Sequence, residues 1–335
     1  MTVHRLIGSP LAAIIFLVTA GTVSAQTQKE LLDELDRTIE EAESYVSAKE
    51  VRIKTIENTL HSRGVSPERQ YRIYGELFDE YQPFNYGKAV ETLDKQMEIA
   101  MLLGDKSKLN DVYLKEAMLN TAAGEFLEAR NDLARVDTTI FTKEQEIAYC
   151  NVQQRFWFDY DENLKGADKS MLRKVAYYRE RLLALADPSS SLSRYVTVRK
   201  YIDEKYFAQA DFINRHSLSR MDPASHDYAN LAYFQARICE SLNRREEMKN
   251  WFIRSAMADI KTATKDNASL FSLADALFKD GDYARAFKYS SFSLEDAIAF
   301  DAKLRQWQIS AILPAVQKSY TDIQQTHQKK TSNML

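Results

Sequence analysis

The sequence predicts an all-α chain, a solenoid of stacked helical hairpins preceded by a long N-terminal helix. Three observations predict it. The 335 residues include only 9 Gly and 6 Pro, fewer turn residues than a large β-rich or α/β chain needs. Apolar residues recur at three- and four-residue spacing along most of the chain, the period of one helix face. A weak internal repeat runs from about residue 75 to residue 298, and such repeats stack because no single unit can bury its own apolar face. Hydrophobic residues make up 45% of the chain, enough for a sizeable core.

Residues 1–25 differ from the rest. Arg5 follows a short polar start, an apolar run extends from Leu11 to Val18, and Val23-Ser24-Ala25 supplies small residues. This is the three-part pattern of a secretory signal, with cleavage expected after Ala25 and a periplasmic mature chain. The apolar run is shorter than the roughly 20 residues of a spanning helix. Loss of Arg5 leaves one fewer than the 45 basic residues against 48 acidic ones, a formal charge of −4. No basic stripe marks a nucleic-acid partner.

Residues 26–64 read as one long amphipathic helix, a candidate coiled-coil arm. Leu31, Leu32, Leu35, Ile39, Ala42, Val46, Val51, Ile53, Ile56 and Leu60 form its apolar stripe. Ser66-Pro67 then restarts a helix, with Ser as cap and Pro at the first helical position.

Residues 65–301 carry the repeat. Its clearest unit is 270–298, "LFSLADALFKDGDYARAFKYSSFSLEDAI", which aligns to the tetratricopeptide pattern with a period of about 34 residues. Ala274 is the small residue where paired helices approach, Gly281-Asp282 is the turn, Tyr283 opens the second helix, and Ala286 faces the first. Lys288 is expected to be exposed. Weaker copies are "YLKEAMLNTAAGEFLEARNDL" (Ala117, Gly124, Phe126, Ala129), "GELFDEYQPFNYGKAVETL" (Tyr86, Ala89) and "YFQARICESLNRREEMKNWFIRSA" (Ala236, Asn243, Phe252, Ser255). Thr142 with Gln145 predicts a capping box. Helices should end at Asp187-Pro188 and at Asp222-Pro223. Residues 302–335 are expected to form a last helix, kinked at Pro314, and a polar tail.

Cys150 and Cys239 lie in apolar helical patterns about two repeats apart. Solenoid repeats touch only their neighbours, so both are expected to be free thiols buried as small hydrophobes.

The densest cluster of aromatic and acidic residues is "RFWFDYDENLKG", 155–166. Asp159, Asp161 and Asn163 alternate like the first ligands of an EF-hand, but Leu164 stands where the invariant Gly belongs and Ser170 where the bidentate Glu belongs. No metal is expected there. Trp157 and Tyr160, with Asp159 and Asp161, form a candidate binding surface, against the plainer reading that the rings are core. His61, His216, His226 and His327 have no metal-ligand spacing. No nucleophile elbow, phosphate loop or dinucleotide fingerprint occurs, so neither enzyme activity nor a cofactor is expected.

The stretch 251–320, "WFIRSAMADIKTATKDNASLFSLADALFKDGDYARAFKYSSFSLEDAIAFDAKLRQWQISAILPAVQKSY", resembles a family of bacterial membrane-anchored tetratricopeptide regulators with a C-terminal domain of unknown function. "LLDELDRTIEEAESYVSAKEVRIKTIENTL" and "LFDEYQPFNYGKAVETL" match as well. The resemblance implies an exported repeat region followed by a spanning helix, a coiled coil and an output domain. It brings no catalytic residues. Here "TDIQQTHQKKTSNML" follows Tyr320, so anchoring is expected only if the protein continues past residue 335.

The expected function is an exported, non-enzymatic sensor or interaction module that binds a peptide, a protein or a glycan fragment. A carbohydrate-binding or carbohydrate-processing protein is the alternative, with Trp157, Trp251 and Trp307 stacking on sugar rings; acidic residues on a concave aromatic surface would favour it. A dimeric scaffold joined through the N-terminal helix is the third reading, favoured if that helix keeps an uncovered apolar stripe.

Overall fold

The computed structural model describes residues 27–62, 64–163, 169–265, 268–301 and 303–332. The expected signal peptide, its cleavage site and the end of the polar tail lie outside them. The described residues form fifteen α-helices and one 3-10 turn, with no strand among them.

The segment 26–64 is two helices rather than one, α1 (Gln28–Glu40) and α2 (Ala42–Leu60). Thr27 caps α1 in a reciprocal capping box with Glu30, which satisfies two backbone N–H groups that would otherwise lack partners. The break falls at Glu41, whose side chain caps nothing.

Six hairpins follow. They are α3 (Pro67–Tyr81) with α4 (Tyr86–Leu103), α5 (Lys106–Ala123) with α6 (Phe126–Arg135), and α7 (Lys143–Asn163) with α8 (Lys169–Leu185). Then come α9 (Ser191–Asp203) with α10 (Phe207–Leu218), α11 (His226–Ser241) with α12 (Arg245–Lys261), and α13 (Ser269–Asp280) with α14 (Tyr283–Phe300). The final helix, α15 (Lys303–Ser332), is continuous across Pro314.

The local signals act as the chemistry of helix ends requires. Ser66 caps α3 with Pro67 behind it. Thr142 and Gln145 exchange both capping-box bonds, at 3.2 Å each. Ser190 and Ser225 cap the helices after the two Asp-Pro breaks.

Four hairpins share one packing device. The fourth residue of the second helix is Ala89, Ala129, Ala210 or Ala286, each fully buried. A side chain of one carbon there lets the two helix backbones approach, and the position tolerates nothing larger without strain. The residue opening the same helices is aromatic: Tyr86, Phe126, Phe207 or Tyr283. In α12 the corresponding residues are Arg245 and Met248. Ala274 lies with Ala286 in one core cluster, and Tyr283 meets Phe278 edge-on at 5.4 Å. Lys288 is not free: its Nζ donates to Asp36 Oδ1 at 3.0 Å.

Two corrections concern the long-range order. The N-terminal helix is not a projecting arm. Leu31, Leu32 and Leu35 are buried in one cluster with Phe252, Leu273, Leu277 and Tyr289 of the last two hairpins. Around this apolar contact, Arg285 donates to Asp33 and Asp36 at 2.8 and 2.9 Å, and the Tyr289 hydroxyl donates to Asp36 at 3.2 Å. The expectation that repeats touch only their neighbours also fails. The superhelix curls until the α3–α4 turn meets the C-terminal hairpins: Lys265 N–H donates to Pro83 O at 2.8 Å, and Tyr86 meets Phe300 edge-on at 6.4 Å. Both departures have one cause. Lateral curvature accumulates over the six hairpins until first and last elements come within contact range.

Candidate ligand-binding cavity

Because the chain closes on itself, the first helices of its hairpins surround a cavity of about 630 Å³. Each wall is one face of a helix. From α7 come Asn151, Arg155, Asp159 and Glu162, at successive spacings of four, four and three residues, which place them on one side of a 3.6-residue turn. From α11 come His226, Ala229, Asn230 and Tyr233; from α9, Tyr195 and Arg199; from α5, Met118, Leu119 and Ala122. Asp79, Gln82 and Pro83 also line it, as do Asp259, Ala268, Ser269 and Phe300 from the helices that meet them at the seam.

The lining is polar with an acidic excess. Asp159 accepts from Arg155 Nε at 3.1 Å. Arg199 donates to Asp203 at 3.2 Å, and its guanidinium lies 3.9 Å from the centre of the Phe158 ring. His226 Nδ1 stands 3.9 Å from Asp259, an ion pair only when the imidazole is protonated. Asp79 and Glu162 line the cavity as exposed residues, and partial desolvation beside its walls pushes both carboxyls above their ordinary range.

The structure divides residues 155–163 of this cluster between two faces of α7, and residues 164–166 lie outside the described residues. Asp159 lines the cavity. Trp157 and Tyr160 lie on another face, where Tyr160 stacks on Phe156 at 5.7 Å and meets Phe126 edge-on at 5.5 Å. Trp157 Nε1 donates to Gln153 at 2.9 Å, and Lys174 Nζ sits 3.5 Å above its ring. Asp161 is half-buried and lies outside the lining. The cavity residues that sequence reasoning missed are spread over eight helices, and each wall becomes visible only once the superhelix is curled. One signal was present: Asn151, Arg155 and Asp159 recur at helical spacing within the flagged segment.

None of the three tryptophans lines this cavity. Trp251 is flanked by the guanidinium groups of Arg215 and Arg254, 5.9 and 5.7 Å from its ring centre. Trp307 is exposed beside a second hollow of about 700 Å³ between α11–α13 and α15, together with Phe271 and Ile312. Cys150 and Cys239 are free and buried in separate clusters. Burial pushes both thiols up to about 11, so neither is a nucleophile at neutral pH. Among the described residues, no three of His, Cys, Asp and Glu gather where they could hold a metal ion. Nor is any described helix long and apolar enough to cross a membrane.

Comparison with known proteins agrees with this architecture. No curated protein matches the chain. The family model of the SusR N-terminal TPR domain matches residues 39–311, from the end of α1 through the six hairpins and into α15. With hairpins that repeat the same buried alanine and the same opening aromatic, and a family match over most of its length, the chain belongs to the SusR N-terminal TPR domain family.

Proposed function

We propose that the chain is the exported, non-enzymatic sensor module of a bacterial regulatory system and that its ligand occupies the central cavity. The family supports a tetratricopeptide regulatory interaction module. The observation that carries the rest is the cavity itself, whose walls come from every hairpin. A ligand there touches many repeats at once, so its binding free energy bears on the shape of the whole superhelix. The amides of Asn151, Asn230 and Gln82 each donate and accept, which suits the alternating groups of a peptide backbone or the hydroxyls of a glycan. A glycan fragment is the second reading. Asp79, Asp159, Glu162 and Asp259 stand among Tyr195, Tyr233 and Phe234 in that lining, the acidic and aromatic combination that hydroxyl-rich ligands use.

The burial of Leu31, Leu32 and Leu35 within the chain weighs against a dimeric scaffold joined through α1, while Val51 on α2 stays exposed. A protein or peptide partner remains the expected class.

The test is thermal stabilisation of residues 26–335 by a panel of di- to hexapeptides and neutral oligosaccharides. A ligand at one hundred times its Kd adds about 2.7 kcal/mol. The stabilisation should vanish in Asn230→Trp, which fills the cavity. Stabilisation that survives this variant places the site elsewhere. Purified protein should not hydrolyse glycans, peptides or phosphoesters; turnover abolished by Asp159→Asn or Glu162→Gln would overturn the non-enzymatic reading. Export is checked by fractionation and N-terminal sequencing, with Gln26 the expected first residue.

A further inference from the structure

The seam that closes the ring differs in chemistry from the hairpin interfaces. Phe84, in the α3–α4 turn, lies with Lys49 Nζ 5.7 Å and Lys265 Nζ 5.8 Å from its ring centre. Lys49 is almost completely buried, donates to Thr262 O at 3.4 Å and pairs with Glu80 at 3.5 Å. Lys265 pairs with Asp296 at 3.0 Å and donates its backbone N–H to Pro83 O. Apolar cover at the seam is limited: Tyr86 packs against the cluster of Ala297, Phe300 and Ile309, and Ala42 and Tyr45 at the start of α2 pack against the C-terminal core. Cation–π and charge-assisted contacts are worth less than a dry core and can be exchanged for water. Nearby, α1 is held to the last hairpins by buried leucines, and the uncapped break at Glu41 separates it from α2.

We propose that Phe84, with Lys49 and Lys265, is a latch that closes the superhelix around the cavity, and that it opens by α3–α4 moving away from the C-terminal hairpins while α1 and the first turn of α2 stay docked. Asp79, Gln82 and Pro83 lie on one side of this latch, and Asp259, Ser269 and Phe300 on the other. The cavity is therefore complete only when the latch is shut. Resting on the cavity as the binding site, the proposal adds that an occupant touching both sides shifts the molecule toward the closed ring. Closure is then the movement by which binding is read out.

The test places spin labels at exposed Lys95→Cys on α4 and Lys279→Cys on α13. The two native thiols are buried and stay unlabelled. Wild type should give one narrow distance distribution. Phe84→Ala should add a longer, broader population, and Phe84→Tyr should restore the single one. In unlabelled protein, Asn230→Cys reports cavity access: the Phe84→Ala background should speed its alkylation by iodoacetamide at least tenfold. Far-UV circular dichroism checks that each variant folds; should Phe84→Ala not fold, Lys265→Met takes its place. An unchanged distance distribution together with an unchanged alkylation rate overturns the latch. If the ring opens as described but no peptide or oligosaccharide stabilises the protein, the latch stands and the binding reading fails.

Discussion

The hairpins α9–α10 and α13–α14 have the same turn built from different residues. After α13, Gly281 has φ 86°, its N–H donates to Phe278 O, and the N–H of Asp282 donates to Leu277 O. After α9, Lys205 has φ 63°, its N–H donates to Ile202 O, and the N–H of Tyr206 donates to Tyr201 O. Both are the Schellman arrangement that closes a helix. Both second helices then place Ala at the fourth position, Ala210 or Ala286. The difference is what lies on top. The α13–α14 hairpin is covered by α1, whereas Phe212 on α10 is 75% exposed. Hairpin geometry in this chain is therefore set by the turn and the buried alanine, while the stability of each hairpin depends on its neighbours.

The largest effect should come from uncovering α13–α14. Leu35 is fully buried among Tyr289, Leu273 and Leu277, so Leu35→Ala should cost about 2–5 kcal/mol through lost burial and a residual cavity. Hydrogen exchange should speed in α14 and leave α10 unchanged. Equal acceleration in both hairpins would mean that the cover is not specific to the C-terminal one.

The alanine position comes next. Ala286→Leu and Ala210→Leu should each cost about 1–3 kcal/mol through overpacking. The matching exposed changes Ala284→Leu and Ala208→Leu should stay within about 0.5 kcal/mol of wild type. Lys288 is unsuitable as a control because it pairs with Asp36 and Glu40. Urea midpoints followed by circular dichroism decide the matter, and a harmless Ala210→Leu would separate the two hairpins.

These residues also show what the sequence made legible. Ala286, Gly281 and Tyr283, like Ala129, Gly124 and Phe126 in α5–α6, combine a Gly turn with an aromatic start, so these hairpins could be read directly. The α9–α10 hairpin carried the same aromatic and alanine in Phe207 and Ala210, but Lys205 hid its turn, because propensity assigns the left-handed position to Gly or Asn. The α11–α12 copy was recognised through Asn243, which has φ 56°, although its packing alanine is replaced by Met248. The closure left no local trace. Its contacts join residues some 180 to 250 positions apart, such as Pro83 with Lys265 and Asp33 with Arg285, and no period in the sequence encodes them. The cavity was illegible for the same reason: of the four flagged residues on α7 only Asp159 lines it, since its other walls come from distant helices.

A third hairpin, α5–α6, extends the comparison to charge. Burial, with the added repulsion of Asp132, pushes the Glu116 carboxyl up to about 7, and Arg135 only partly opposes this. The folded protein thus keeps a proton that the unfolded chain releases near the ordinary value of 4.5. Its contribution to stability is full below that ordinary value and is lost as pH rises through about 7. Wild type should therefore lose melting temperature between about pH 5 and pH 8, and Glu116→Gln should lose less. Identical slopes would show that Glu116 ionises as an ordinary surface carboxyl. This effect should be smaller than those of the core changes, because Arg135 remains 3.5 Å away to meet the charge.

The smallest expected effect separates the two turns themselves. At Gly281 a Cβ would meet nothing within 4 Å, so Gly281→Ala tests the backbone alone. The left-handed conformation costs a residue with a Cβ roughly 1–2 kcal/mol. The unfolded chain, having fewer states with Ala, returns about 0.4–1 kcal/mol of this. The net loss should be about 1 kcal/mol or less. Lys205→Gly runs the same cycle in reverse and should gain about 0.5 kcal/mol, since strain is relieved while unfolded-state freedom increases. Two changes of opposite sign at matched positions cancel any general sensitivity of the fold, which makes the pair more decisive than either alone. Urea midpoints should move in opposite directions. If Lys205→Gly instead destabilises the protein, the Lys205 side chain contributes more than its backbone costs, and the α9–α10 turn is held by contacts of that side chain rather than by the Schellman hydrogen bonds it shares with Gly281.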